Sequence, residues 1–174
     1  MASYEHWRIE RWDTPIADIV SVAMASLVDS GGKLRITLEA PLESGRPRWE
    51  FVFDSYPGYR SLLEEFRLQL WGHLDETGQR CGNTFCVTNS PWIETLRKHE
   101  GVFAHYYPKI AHYVILTEDD VVEILSPEAP SVNALGSTPN DEARAGKSTV
   151  LYHPKDRGRL WEMFLHLKRG NEDE

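Results

Sequence analysis

Acyl transfer needs a nucleophile within reach of a base, and this sequence offers Cys86 or Ser90 as the nucleophile and His105 or His112 as the base. Cys86 lies in Thr84-Phe85-Cys86-Val87-Thr88, a β-rich run where a cysteine reads as a small buried hydrophobe, and nothing nearby supplies the electropositive setting of a reactive thiolate. Ser90 lies in Asn89-Ser90-Pro91, where a hydroxyl followed by proline marks a helix cap; it is not in the Gly-x-Ser-x-Gly turn of a hydrolase nucleophile. Seven histidines raise the question of a metal, but there is no His-Glu-x-x-His pair, and Cys81 and Cys86 are not spaced as a zinc half-site. Gly146-Lys147-Ser148 ends like a phosphate-binding loop, yet Asp141 stands where the first glycine is required, and Asp141-Glu142 repels a phosphate. Glu64 and Glu65 would project about 100° apart on a helix, a poor acid/base pair. Glu118-Asp119-Asp120 lacks the glycine and alternating ligands of a calcium loop and reads as a charged turn. These patterns lead to no expected metal, no expected cofactor and a reading that leans away from catalysis.

Binding is the better-supported chemistry. Lysine plus arginine number 19 against 27 aspartates and glutamates, a net charge of −8. That balance opposes affinity for nucleic-acid backbones and favours a basic protein partner, as in inhibitor or immunity proteins that mask a cationic enzyme site. His105-Tyr106-Tyr107-Pro108 falls between elements, where aromatic rings suit a partner surface or a ligand cleft. The expected partner surface is therefore Tyr106, Tyr107, Glu118, Asp119 and Asp120, which flank one expected strand over 112–117. The alternative is a small-molecule binder or enzyme with a cleft near Tyr106, Tyr107 and His112, using His105, His112 and Glu118. No apolar run approaches the ~20 residues of a membrane-crossing helix. The start of the sequence lacks a secretory pattern and cysteines are few, so the expected location is the cytoplasm. Oligomeric state is left open.

The elements that would position these residues follow from hydrophobic period. Leu34, Ile36 and Leu38 alternate with charged and polar neighbours, as do Trp49, Phe51 and Phe53. With an apolar run over 17–27, they make a three-stranded meander. Leu63, Phe66, Leu70 and Leu74 recur at helical spacing and predict a helix over 59–74. A strand over 84–88, a helix over 92–100 capped by Ser90, and a hairpin of 112–117 with 121–125 follow. Both faces of 112–116 are apolar, which predicts an interior strand. Segment 126–148 lacks a convincing period and predicts a mobile loop. An edge strand over 149–152, a helix ending near residue 169 and a short acidic tail complete the chain. The expectation is one α+β domain over 1–174, a single antiparallel sheet with helices packed on it.

Overall fold

The alternation at Leu34, Ile36 and Leu38 forms β3 (Lys33–Glu39), whose apolar side is fully buried in the computed structural model. Residues 7–41, 45–79 and 81–137 are described, all within one compact unit, Met1–Thr138. On one side β3 pairs with β2 (Ala23–Ser30) and on the other with β4 (Pro47–Phe53), giving the expected meander with its first strand moved to 23–30 from the expected 17–27, because residues 17–22 form a turn and a link that leave Val20 93% exposed. A fourth strand, β9 (Ser131–Ser137), adds to the far edge of β4.

The remaining strands form a second, five-stranded antiparallel sheet in the order β1-β6-β7-β8-β5. These are β1 (Arg8–Arg11), β6 (Thr84–Thr88), β7 (Ala111–Leu116), β8 (Asp120–Ser126) and β5 (Gly58–Leu63). β7 is central, as its two apolar faces predict. One face, carrying Tyr113, Ile115, Val122 and Ile124, packs on Leu34, Ile36, Phe51 and Phe53 of the other sheet. The opposite face carries Phe85, Val114 and Val121 under Leu70 of α1 (Leu68–Thr77). On the same face Leu125 packs under Ile93 of α2 (Pro91–His99) and Phe103 of α3 (Phe103–Tyr106). The order of layers is four strands, five strands, then helices. Among the described residues no helix is long and apolar enough to cross a membrane.

This corrects the expectation of a single sheet with helices packed on it: the described residues are mostly β, with nine strands in two antiparallel sheets and three short α-helices. The physical reason is that the period-2 pattern of the meander gives the strands an apolar face but does not specify its cover. The cover proves to be another sheet. Residues 58–63, expected to begin a helix, are instead captured as an edge strand by β8, with Arg60 opposite Glu123. Helix begins only at Leu68, after a 3₁₀ turn over Glu64–Phe66. Segment 131–137, expected to be loop, is an edge strand with weak alternation and mostly exposed side chains. The expected elements beyond residue 137, including the rest of the 126–148 loop, lie outside the described residues.

The two sheets are tied by the turn after β1, where Asn83 donates through its side chain to Ile16 O (3.0 Å) and Ile19 O (2.6 Å) and through its backbone to Ala17 O (2.9 Å). Gly82 makes this possible: at φ +70°, a Cβ there would lie 2.1 Å from Ala17 O. Gly78, which ends α1 at φ +64°, has nothing within 4 Å of a built Cβ. Gly78→Ala should therefore cost about 1 kcal/mol, the ordinary penalty of a left-handed alanine. Gly82→Ala should cost about 3 kcal/mol or more, because a backbone clash adds to the same penalty. Urea denaturation of both variants checks this, and equal losses would overturn the tie.

Candidate functional site

Glu123 stands in the middle of Val121-Val122-Glu123-Ile124-Leu125, and the strand's alternation points it onto the helix-covered face of the five-stranded sheet, where it is 1% exposed. A carboxylate in that position needs cations, since the desolvation cost of an unpaired charge is several kcal/mol. Arg60 is its direct cross-strand partner on β5 and binds it twice, Nε to Oε2 at 2.5 Å and Nη2 to Oε1 at 2.9 Å. Arg67, between the 3₁₀ turn and α1, donates through Nη2 to Oε1 at 2.6 Å. From β7, His112 lies diagonally across, with Nε2 at 3.2 Å from Oε1 but too poorly aligned for a hydrogen bond. Its other nitrogen, Nδ1, is 2.8 Å from the Ser90 hydroxyl. Asn89 takes φ +55°, which asparagine tolerates, and so turns the chain sharply from β6 into α2 and delivers Ser90 beneath the helix. Trp92 closes the top, its ring 4.4 Å from the Arg60 guanidinium and edge-on to His112.

Burial alone would raise the Glu123 carboxyl; His112, Arg60 and Arg67 together outweigh it and hold the group down at about 2. Burial also lowers His112, against the pull of Glu123, so the imidazole is neutral at pH 7. The consistent assignment is a Ser90 O–H donating to Nδ1 and an Nε2–H facing the carboxylate. Serine, imidazole and carboxylate thus touch in the order of a nucleophile, a base and its orienting acid. Three features close this relay to substrate. Ser90 and His112 are each only 3% exposed; the Ser90 oxygen accepts the Ile93 N–H at 3.3 Å as the cap of α2; and two guanidiniums already share the Glu123 charge. The cluster clasps α1 and α2 to the sheet. Thiol chemistry is no better placed, since burial pushes Cys86 up to about 11 and Cys81 upward as well. Among the described residues no group of three or more histidine, cysteine or acidic side chains could hold a metal.

The residues singled out in the sequence fall in three places. Tyr106 ends α3 at 71% exposed beside exposed His105, while Tyr107 is half-buried against Phe103. His112 joins the buried clasp and there meets Ser90, one of the pairs the sequence offers. Glu118, Asp119 and Asp120 sit at the far end of β7, about 20 Å away for a six-residue strand. The structure therefore gathers neither the five expected partner residues nor the His105, His112 and Glu118 set. Glu118 receives the Ser21 hydroxyl and helps line a recess of about 130 Å³ with Ala23, Glu39 and Arg46. That is below the ~300 Å³ at which small-molecule pockets begin.

The acidic tip has another neighbour. Glu64 N–H donates to Asp119 O at 2.9 Å, and the β5–β8 register sets Leu63 opposite Asp120. This sets the Glu64–Phe66 turn beside the acidic tip, with Leu63, Phe66 and Leu68 exposed next to it, Phe66 at 66%. Burial, and then Asp119, raises the Asp120 carboxyl. Sequence reasoning missed this surface because Phe66 keeps helical spacing with Leu63 and Leu70. It also missed Glu123, whose signal is a lone carboxylate inside a fully apolar strand.

The clasp makes stability depend on pH in a definite direction. His112 has a folded pKa below its ordinary 6.5, so the unfolded chain takes up a proton that the folded one refuses, and stability falls as pH drops below about 6.5. His73, partly buried and stacked on Trp7, adds in the same sense. Glu123, held at about 2 against an ordinary 4.5, contributes about 3 kcal/mol above that ordinary value, lost as pH falls toward 2. The urea midpoint should therefore decline between about pH 7 and pH 5, and His112→Gln should flatten that part of the profile to the share due to His73, while Arg60 and Arg67 keep a reduced fall below about pH 4.5. A wild-type midpoint constant from neutral to pH 5 would refute the assignment. Glu123→Gln should cost about 3 kcal/mol at neutral pH, because the largely buried Arg67 and the half-buried Arg60 guanidiniums lose their counter-charge.

Compared with known proteins, the chain matches no family model, no curated protein and no solved structure, so the clasp and the acidic end are the residues on which a functional reading has to stand.

Proposed function

We propose that this chain is a protein-binding module of the inhibitor or immunity kind, whose acidic end covers a cationic surface on another protein. The observation that carries the reading is the hydrogen bond from Glu64 N to Asp119 O, which joins two acidic segments distant in sequence and leaves exposed Phe66 among them. An exposed aromatic ring beside two acidic segments has the composition of an interface centre with a charged rim. The aromatic side chain supplies buried area, and the acids attract and orient a basic partner before contact. The net charge of −8 adds a long-range field of the same sign. Tyr106 and Tyr107, at the other end of β7, have no part in this surface.

The two kinds of residue should act on different rates. With a partner in hand, Asp119→Asn with Asp120→Asn should mainly slow association, and Phe66→Ala should mainly speed dissociation. The partner itself can be sought by parallel capture on immobilised wild type, on a variant combining Glu65→Gln, Phe66→Ala, Asp119→Asn and Asp120→Asn, and on Tyr106→Ala. The expected result is a basic protein held by wild type and Tyr106→Ala, released by high salt, and reduced at least about tenfold on the combined variant. Equal capture by all three would place the interface elsewhere.

A further inference from the structure

An unprotected edge strand is a row of backbone donors and acceptors open to another chain. Among the described residues the two sheets end in four edge strands, β1, β5, β2 and β9, and three of them carry a device against such pairing. β1 is four residues long and bears Arg8, Glu10 and Arg11, while the pairing of β2 skips Ala25 and that of β9 skips Leu135, bulges that bend an edge away. β5 has none of these. Its ladder with β8 runs without interruption from Gly58 to Leu63, it contains no proline, and its one charged side chain, Arg60, turns inward to Glu123. The ladder also fixes which backbone groups of β5 face outward. Glu64 N–H donates to Asp119 O in the same register as the β5–β8 pairs, and Thr117 N–H donates to Asp120 O on the other side of β8. Bonded pairs alternate along an antiparallel ladder, so Arg60 and Leu62 bond to β8 and the N–H and C=O of Tyr59, Ser61 and Leu63 point away from it, over about 14 Å. Ser61 and Leu63 are both exposed, and the Ser61 hydroxyl binds the Asp120 carboxylate. The open edge thus ends beside Asp119, Asp120 and the Phe66 turn.

We propose that β5 accepts an extended segment of a partner, bearing lysine or arginine, as an added antiparallel strand of the five-stranded sheet. The proposal rests on the acidic end being a docking surface and adds how the partner is held there. Backbone bonds along Tyr59, Ser61 and Leu63 supply affinity, and the neighbouring carboxylates select positive charge and repel an acidic segment. A segment antiparallel to β5 sets its first residues beside Leu63, Asp119 and Asp120, so its cations belong at that end, and an apolar side chain opposite Leu63 covers the exposed leucine. Backbone bonding and charge are separate contributions here and can be removed one at a time. Proline is tolerated in a sheet at an edge position whose N–H points away from the ladder, so Ser61→Pro removes a donor from the partner's side while keeping the β5–β8 bonds and every carboxylate.

The probe is a short labelled peptide, a lysine pair followed by alternating valine and threonine, titrated with the full chain by fluorescence anisotropy beside the same peptide carrying glutamate for lysine. The lysine peptide should bind wild type with a Kd below ~1 mM, more weakly in high salt, and the glutamate peptide should not bind. Ser61→Pro should weaken binding at least about tenfold, Ser61→Ala should stay within about twofold of wild type, and Asp119→Asn with Asp120→Asn should weaken it at least about fivefold. Hydrogen exchange on wild type reads the contact directly: the Ser61 and Leu63 amides should exchange quickly in the free chain and at least about tenfold more slowly with peptide bound, whereas those of Arg60 and Leu62 are protected in both. Bound peptide that leaves Ser61 and Leu63 exchange unchanged overturns strand addition, whether or not Ser61→Pro folds, and so does an absence of binding up to ~1 mM. If Ser61→Pro binds as wild type does while the aspartate variant is weakened, the acidic end stands as a side-chain surface and strand addition falls. Equal binding by the aspartate variant and by the glutamate peptide overturns both this proposal and the acidic end as a docking surface.

Discussion

A carboxylate buried in the middle of an apolar sheet face is unstable unless positive charge is brought to it, and the helix-covered side of this protein is organised by that requirement. Glu123 receives one guanidinium from the neighbouring strand and another from the start of α1, and faces an imidazole tied through Ser90 to α2. β5, the start of α1 and the start of α2 are thereby fixed to one point on β8. An apolar residue at the same position would pack against whatever covered it; a carboxylate accepts only particular donors in particular places. The stabilisation gained over such a core is small, since a buried ion pair roughly recovers its own desolvation. Its effect is on which arrangement of β5, α1 and α2 is allowed.

The opposite face of the same sheet works by shape alone. Tyr113, Ile115, Val122 and Ile124 interlock with the meander, and Trp12 spans the layers with its ring edge-on to both Phe51 and Tyr113. No ion pair is needed there, because strands on both sides present continuous apolar surface and their backbone groups are paired along the ladders. The five-stranded sheet thus has one face sealed by packing and one keyed by charge. Ser90 belongs to the keyed face. Its hydroxyl caps α2 and contacts His112, which accounts for a serine at that position without requiring catalysis.

What the sequence makes legible follows from how local each signal is. The second and third strands of the meander, the strand over 84–88, the Ser90 cap and the 112–125 hairpin are written in period and turn chemistry within a few residues, and they stand where expected, whereas the first strand is displaced from 17–27 to 23–30. The second sheet is different, because nothing in an alternating strand says whether a helix or another sheet will cover it. At 58–63 the local signal misleads: helical spacing of Leu63, Phe66 and Leu70 competes with a strand that exists because β8 offers an unpaired edge and Glu123 needs Arg60. At 131–137 pairing with β4 makes a strand out of a polar, glycine-containing run that has little intrinsic preference for one. The acidic tip was readable as a charged turn, whereas its companion Phe66 was not, since the bond joining them links residues far apart in sequence.

Phe66 is exposed for a reason that connects the two halves of the molecule. It immediately precedes Arg67, whose guanidinium turns inward to Glu123, while Trp71 reaches back to hold Glu64 O at 2.8 Å. The 3₁₀ turn is therefore pinned on both sides of the ring, and Leu63 before it is held by the β5–β8 ladder. A side chain presented from a backbone fixed in this way gives up little conformational freedom when it enters a pocket, so more of its burial appears as affinity. The same clasp keeps the Glu64 backbone against that of Asp119, so the turn and the acidic hairpin tip hold one position relative to each other. Burying Glu123 in the sheet thus does at the surface what packing alone would not: it orders a turn too short to order itself, and so fixes an exposed aromatic ring beside the acidic hairpin.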